Sequence, residues 1–289
     1  MSGQRLPATL LLYWDYDGEI GGERSLSGTQ GAGELGFSGT ARILDLLDER
    51  NLVGTFACVG YLALEGPLPY HARAQVSEIH TRGHEVASHA WTHEYLPALP
   101  ARALREVLSR SKQALEDAIG AQVVSFVPPW NAPHRFFSRL SLGLGQFRRA
   151  WRQPTDLPAL CRALRETGYR TCRVAYEPLP FALWRRLTGR DRLSRPLAPV
   201  GIEGVRCFRC TGAGGFDEEP RRVLERAASQ GGLAVTWAHP HSLHNGSPQD
   251  ERYLVPFLDR ARELRDEGNL VVTVPSKLAA GGPAGDTLP

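Results

Sequence analysis

Residues 8–18 read ATLLLYWDYDG, a nearly continuous apolar run that ends in Asp15, Tyr16, Asp17 and Gly18. An apolar run of this length bounded by polar residues is what a strand buried on both faces requires, and such strands belong to parallel sheets flanked by helices. Asp15 and Asp17 are two apart, so at a strand end both carboxylates project to the same side. Two carboxylates held together repel one another unless a cation sits beside them. A plain Asp-Gly turn explains the same letters without any ligand.

Outward from this strand, residues 18–38 are rich in Gly and Ser and are expected to form a long loop, a lid or wall beside Asp17. Helical periodicity then covers 39–51, 72–82, 100–119, 156–167, 218–230 and 251–267. Strand-like runs cover 52–58, 85–88, 122–127, 169–175, 204–209, 232–238 and 269–274. Residues 131–155 and 177–201 read as irregular excursions. The alternation predicts an α/β fold with a parallel sheet or barrel. One domain over 1–278 is expected, followed by a disordered tail at 279–289.

The chain has 289 residues, 42% of them hydrophobic, and a formal net charge of only +3, so nothing in its charge calls for a nucleic-acid partner. No apolar segment approaches the ~20 residues of a membrane-spanning helix, and residues 1–8 lack the apolar core of a secretory leader. A cytoplasmic location is the expectation. The basic segment Pro180–Leu193 is compatible with weak contact to a membrane surface, although a solvated face explains it more simply. The five cysteines form no regular framework, and the pair Cys207 and Cys210, on a strand, would point to opposite faces.

A second polar strand end lies at residues 83–93, GHEVASHAWTH. His89 and His93 are four apart, which on a helical turn puts both imidazoles on one face within reach of one metal. Two histidines and one carboxylate make a complete protein set for an open zinc site. A third lies at residues 237–244, WAHPHSLH, directly after an apolar strand. In a parallel sheet His239 would share the rim with Asp15 and Asp17.

These stretches together resemble the polysaccharide deacetylase, or NodB-homology, family. Asp15-Tyr16-Asp17-Gly18 resembles its first motif in the D-x-D form, 83–93 its second, Phe126 to Trp130 its third, and the segment ending at His239 its last. The resemblance implies an incomplete, distorted (β/α) barrel. It implies a metal held by Asp17, His89 and His93, most simply Zn2+ with Co2+ or Mn2+ as substitutes. It further implies Asp15 as general base, His239 as general acid, and Pro129 and Trp130 as the substrate wall. His241 is a candidate for contacting substrate, and His241 and His244 compete with His239 for the acid role. The implied activity is hydrolysis of a small N-acyl amide on an amino sugar, with nucleotide- and lipid-linked precursors among the expected substrates. A deformylase or small-amide hydrolase on the same scaffold, and a metal- or glycan-binding protein without catalysis, are the alternatives. The family's third motif usually carries an Arg where this chain has Val127; either another arginine, such as Arg173 on a nearby strand, replaces it in space, or Asp15 is tuned differently, and weak activity is a further reading.

Overall fold

A computed structural model describes residues 6–25, 31–133, 157–174, 199–212 and 214–279. Among these residues the framework is a sheet of nine strands: β1 (Ala8–Tyr16), β2 (Thr55–Cys58), β3 (Glu85–Ser88), β4 (Ser125–Phe126), β5 (Thr171–Val174), β6 (Val200–Ile202), β7 (Val205–Arg209), β8 (Leu233–Ala238) and β9 (Leu270–Thr273). The order is β6-β7-β5-β4-β3-β2-β1-β8, and β9 also pairs with β1. Only β6–β7 is antiparallel; the remaining pairs are parallel. On β1, β2 pairs with Tyr13 to Tyr16 and β9 with Ala8 to Leu11, while β8 covers Thr9 to Trp14. The sheet curls into an incomplete (β/α) barrel, as the family resemblance implies; the alternation of elements leaves parallel sheet and barrel both open.

Period-two alternation divides β1 cleanly. Leu10, Leu12, Trp14 and Tyr16 belong to the large core under the helices, whereas Leu11 and Tyr13 join Ala57, Ala87, Val127, Phe208 and Val235 in a smaller inner cluster. Asp15 continues that inner row to its C-terminal end, where parallel barrels place their chemistry. The N-terminal end is closed by a short helix, Pro275–Ala279, here α8. Its Leu278 packs on the inner cluster, and the Ser276 amide donates to the Glu85 carboxylate at 3.3 Å.

The other helices are α1 (Gly18–Arg24), α2 (Ala32–Asp48), α3 (Arg73–Thr81), α4 (Ala101–Ile119), α5 (Leu157–Glu166), α6 (Glu218–Gln230) and α7 (Glu251–Asp266). Two of these correct the sequence reading: the expected loop at 18–38 is largely helical, and the helix expected from 39 begins at Ala32. Glycine is a poor helix former, but here it is needed for close approach. A Cβ on Gly21 would lie 2.5 Å from the Asp17 Cβ, and one on Gly39 would lie 2.2 Å from the Pro240 carbonyl oxygen. The Glu19 carboxylate accepts from the amides of Gly31 and Gly33 at 3.2 and 2.8 Å, tying α1 to the start of α2.

The short strand β6 falls at the end of the stretch 177–201 that reads as irregular. Most of the excursion 131–155, the basic segment Pro180–Leu193 and the tail 280–289 lie outside the described residues. The five cysteines are free and buried. Among the described residues no helix is long and apolar enough to cross a membrane.

Candidate active site

The site is built from the C-terminal ends of β1, β3, β5 and β8 and the turns that follow them. Asp17 leaves β1 as the residue before α1. His89 and His93 flank the turn after β3, which is not helical: Ala90 and His93 both have φ of 63°. The spacing therefore works through a left-handed turn rather than the helical one expected from it. His tolerates this conformation better than most residues, but a neighbour must hold it. Glu94 does so by accepting from the amides of Trp91 and Thr92 at 3.1 and 3.0 Å and from the Thr92 hydroxyl at 2.6 Å. On the other side, the Ser111 hydroxyl of α4 donates to the Ala90 carbonyl at 2.7 Å.

Asp17, His89 and His93 each present a ligand atom, and these atoms lie within 4.8 Å of one another. The Asp17 Oδ1 is buried without a hydrogen-bond partner among the described residues, an arrangement that costs free energy unless a cation compensates it. The Nε2 atoms of His89 and His93 are 3.4 and 3.9 Å from that oxygen. The His89 Nδ1–H donates to the Val127 carbonyl at 2.8 Å, which leaves the Nε2 lone pair facing Asp17. Val127 thus serves the site through its backbone. Burial lowers the His93 pKa to about 4, with Asp17 opposing and His89 reinforcing the shift. The ring is therefore neutral near pH 7, as a metal-ligating nitrogen must be. Two imidazole nitrogens and a carboxylate oxygen form the donor set of an open zinc-type site, and the residues fit such an ion.

Asp15 faces the same space and is held by Arg173 of β5. Nη1 and Nη2 donate to its two oxygens at 2.7 and 2.6 Å. Burial alone would raise the Asp15 pKa, but Arg173, with smaller contributions from His89 and His239, brings it down to about 2. β4 pairs with β5 through Ser125↔Thr171 and Phe126↔Cys172, and Val127 and Arg173 are the residues that directly follow that last pair. The position without an arginine and the arginine that meets Asp15 thus follow the same strand pair. Arg173 Nη2 also donates to Asn131 Oδ1 at 3.2 Å.

Asn131 and Trp130 have φ of 51° and 63°, in the turn after β4 where Pro129 is buried. The Trp130 ring lies 5.5 Å from the His93 ring, and its Nε1 donates to the His93 carbonyl at 3.4 Å. This places Trp130 as a wall of the metal site.

After β8, the His239 Nε2 is 3.9 Å from Asp17 Oδ2. His241 lies alongside, with ring centroids 4.9 Å apart, and its pKa is lowered to about 4 by burial and then by His239. His244 is exposed and turns toward Glu251, away from the site. His84, in the second motif, is also elsewhere: its Nδ1 accepts from the Gly54 amide at 3.3 Å and its Nε2 is 3.5 Å from Asp48. Sequence reasoning missed Glu94, Ser111 and Asn131. They act through backbone atoms or through another side chain, and no spacing rule marks them.

The family model for polysaccharide deacetylase matches residues 32–136. The curated chitin deacetylase 2 of Cryptococcus neoformans var. grubii is 27% identical over 114 residues, which are 39% of this chain and 24% of that protein. The matched region is thus about a quarter of the relative's length. A solved structure described as a putative polysaccharide deacetylase from Mycobacterium smegmatis superposes with a TM-score of 0.64 at 17% identity, covering 100% of this chain and 96% of that one. A mutant of BA3943, described as a CE4 family pseudoenzyme with restored enzymatic activity, gives a TM-score of 0.53 at 15% identity, covering 94% of this chain and 68% of that one. At these identities the structures establish the fold, and it is that of the incomplete (β/α) barrel.

Proposed function

We propose that the chain is a metal-dependent deacetylase hydrolysing the N-acetyl amide of an amino sugar in a glycan, a reading supported by the match of residues 32–136 to the polysaccharide deacetylase family model. The observation that carries this reading is the convergence of Asp17, His89 and His93 on one buried point beside an arginine-clamped Asp15. Zn2+ is the ion this donor set favours, with Co2+ and Mn2+ as substitutes. The chitin deacetylase relative supports an N-acetylated glycan as substrate. Nothing in the described residues or in the relatives supports attachment of that sugar to a nucleotide or lipid. A cytoplasmic location stays part of it, tested by fractionating the producing cells.

A divalent ion held by Asp17, His89 and His93 would supply Lewis acidity toward water and the amide carbonyl. The chain's own residues do the rest. Asp15, kept ionised by Arg173, accepts the proton of the attacking water. Trp130 walls the site and orients the sugar against His93. The His239 Nε2, facing Asp17, donates a proton to the departing nitrogen, since an unprotonated amine is a poor leaving group. The products are a free amino sugar and acetate.

A second reading, a metal- or glycan-binding protein without turnover, is favoured by one observation: both Asp15 oxygens are engaged by Arg173. Acetate release from N-acetylglucosamine oligomers, measured with wild type and Asp15→Asn, decides between them. Turnover lost in the variant with metal retained supports the enzyme; absence of release from wild type loaded with zinc, cobalt or manganese leaves the binding reading.

A further inference from the structure

We propose that Gln249 is a positioning residue that locks His239 in one tautomer, with the Nε2 lone pair directed at the metal site. The Gln249 Oε1 accepts from the His239 backbone amide at 2.7 Å and lies 3.1 Å from the ring Nδ1. A backbone N–H can only donate, so the Gln249 atom that faces it is the carbonyl oxygen rather than the amide nitrogen. That oxygen cannot donate to the ring, so the proton of the Nδ1–Oε1 contact belongs to Nδ1. A neutral imidazole carries one proton, which leaves Nε2 bare, and Nε2 is the atom 3.9 Å from Asp17 Oδ2.

Gln249 is itself held in place. Its amide donates to the Ser247 hydroxyl at 3.1 Å. On one side of it the Pro248 carbonyl accepts from the Phe216 amide at 2.7 Å. On the other, Asp250 caps α7, accepting from the Gly246 and Arg252 amides at 2.7 and 3.1 Å. The Glu251 amide donates to the Leu243 carbonyl at 2.8 Å, which ties this segment to the turn that follows His239. An amide fixes the ring without adding a third negative charge beside Asp15 and Asp17. With Nδ1 occupied, the ring takes up its second proton on Nε2 alone, on the site side, and in the proposed hydrolysis that is the proton given to the departing nitrogen.

The role in turnover rests on the proposed hydrolase reading; the tautomer does not. Two-bond 15N correlation spectra of the full chain at alkaline pH, with His239→Gln to assign the ring, are expected to show an Nδ1-protonated His239. Gln249→Leu is expected to lose that pattern and Gln249→Glu to keep it. An Nε2-protonated ring in wild type, or an unchanged ring in Gln249→Leu, overturns the proposal. In turnover, Gln249→Leu is expected to lower kcat roughly 10-fold or more with little change in KM, and Gln249→Glu to restore most of it. Equal kcat in Gln249→Leu and wild type would also overturn the role. If wild type turns over no acylated sugar, the hydrolase reading fails while the spectra still decide the tautomer.

Discussion

Arg173 on β5 grips Asp15 on β1 with two parallel hydrogen bonds of 2.7 and 2.6 Å, and both side chains are buried. The same guanidinium reaches Asn131 at 3.2 Å and lies 5.0 Å from the Trp237 ring centroid. Arg173 therefore links the carboxylate proposed as base to the turn that carries the Trp130 wall. A bidentate fork of this kind is specific to arginine. Arg173→Met leaves a buried carboxylate unpaired, and breaking one partner of such a pair costs about 3–5 kcal/mol. Denaturant unfolding is expected to show that loss, with Arg173→Lys intermediate. The double variant Arg173→Met with Asp15→Asn is expected to recover part of it, because the stranded charge is gone. Equal stability of Arg173→Met and wild type would contradict the clamp.

The same pair predicts an acid limb of stability. Against the upward pull of burial, Arg173 holds the folded pKa of Asp15 at about 2, below the ordinary value of an aspartate. A depressed carboxylate stabilises the fold fully above its unfolded pKa and loses that contribution as pH falls through the folded value. The contribution is about 2 kcal/mol near neutrality by linkage, and it declines between about pH 4 and pH 2. Asp15→Asn is expected to flatten this part of the stability-versus-pH curve. A wild-type curve and an Asp15→Asn curve of the same slope across that window would show that Asp15 is not the group responsible.

Gly21 and Gly39 test whether the glycines of α1 and α2 are there for approach rather than freedom. In an exposed helix, Gly→Ala gains up to about 1 kcal/mol. Here the added Cβ meets the Asp17 Cβ at 2.5 Å or the Pro240 carbonyl oxygen at 2.2 Å, neither of them a flexible side-chain end. Gly21→Ala is expected to weaken metal binding roughly 10-fold or more, by displacing Asp17 and the His93 turn. Gly39→Ala is expected to lower the melting temperature and disturb His239, which precedes Pro240. Metal titration and thermal unfolding read the two effects separately; a gain in stability with unchanged metal affinity in both variants would refute the packing argument.

The residues that carry ligand chemistry were legible in the sequence because strand ends and residue types suffice to nominate them. Asp17, His89 and His93 stand out at the ends of two apolar runs, and the structure brings them together. The alternation of helices and strands was readable for the same local reasons. Other features depend on distant partners. The glycines at 21, 33, 36 and 39 lower helix propensity, so the stretch reads as a loop until its tight neighbours are known. The His89–His93 turn is left-handed because Glu94 and Ser111 brace it, and spacing alone suggests a helical turn instead. Arg173 could be nominated from its place on a neighbouring strand, but its partner shows only in three dimensions, where it meets Asp15 at 2.7 and 2.6 Å. Gln249, ten residues beyond His239, has no sequence signature at all.

Removal of the ion provides the last prediction. With Asp17 Oδ1 buried and without a hydrogen-bond partner among the described residues, and the Nε2 atoms of His89 and His93 at 3.4 and 3.9 Å from it, removal of a cation leaves that carboxylate oxygen poorly compensated. A ligand that binds only the folded state stabilises it by RT ln(1 + [L]/Kd), about 2.7 kcal/mol at 100 times Kd. Chelation is therefore expected to lower the melting temperature by several degrees, and Zn2+ to restore it with one ion per chain. His89→Ala is expected to remove both the ion and the response to chelator. His84→Ala, which alters the histidine of the same motif that packs against Asp48, is expected to lose some stability but keep the ion. If His84→Ala lost the metal and His89→Ala kept it, the ligand set drawn from the geometry would be wrong. A wild-type melting temperature indifferent to both zinc and chelator would remove the centre altogether.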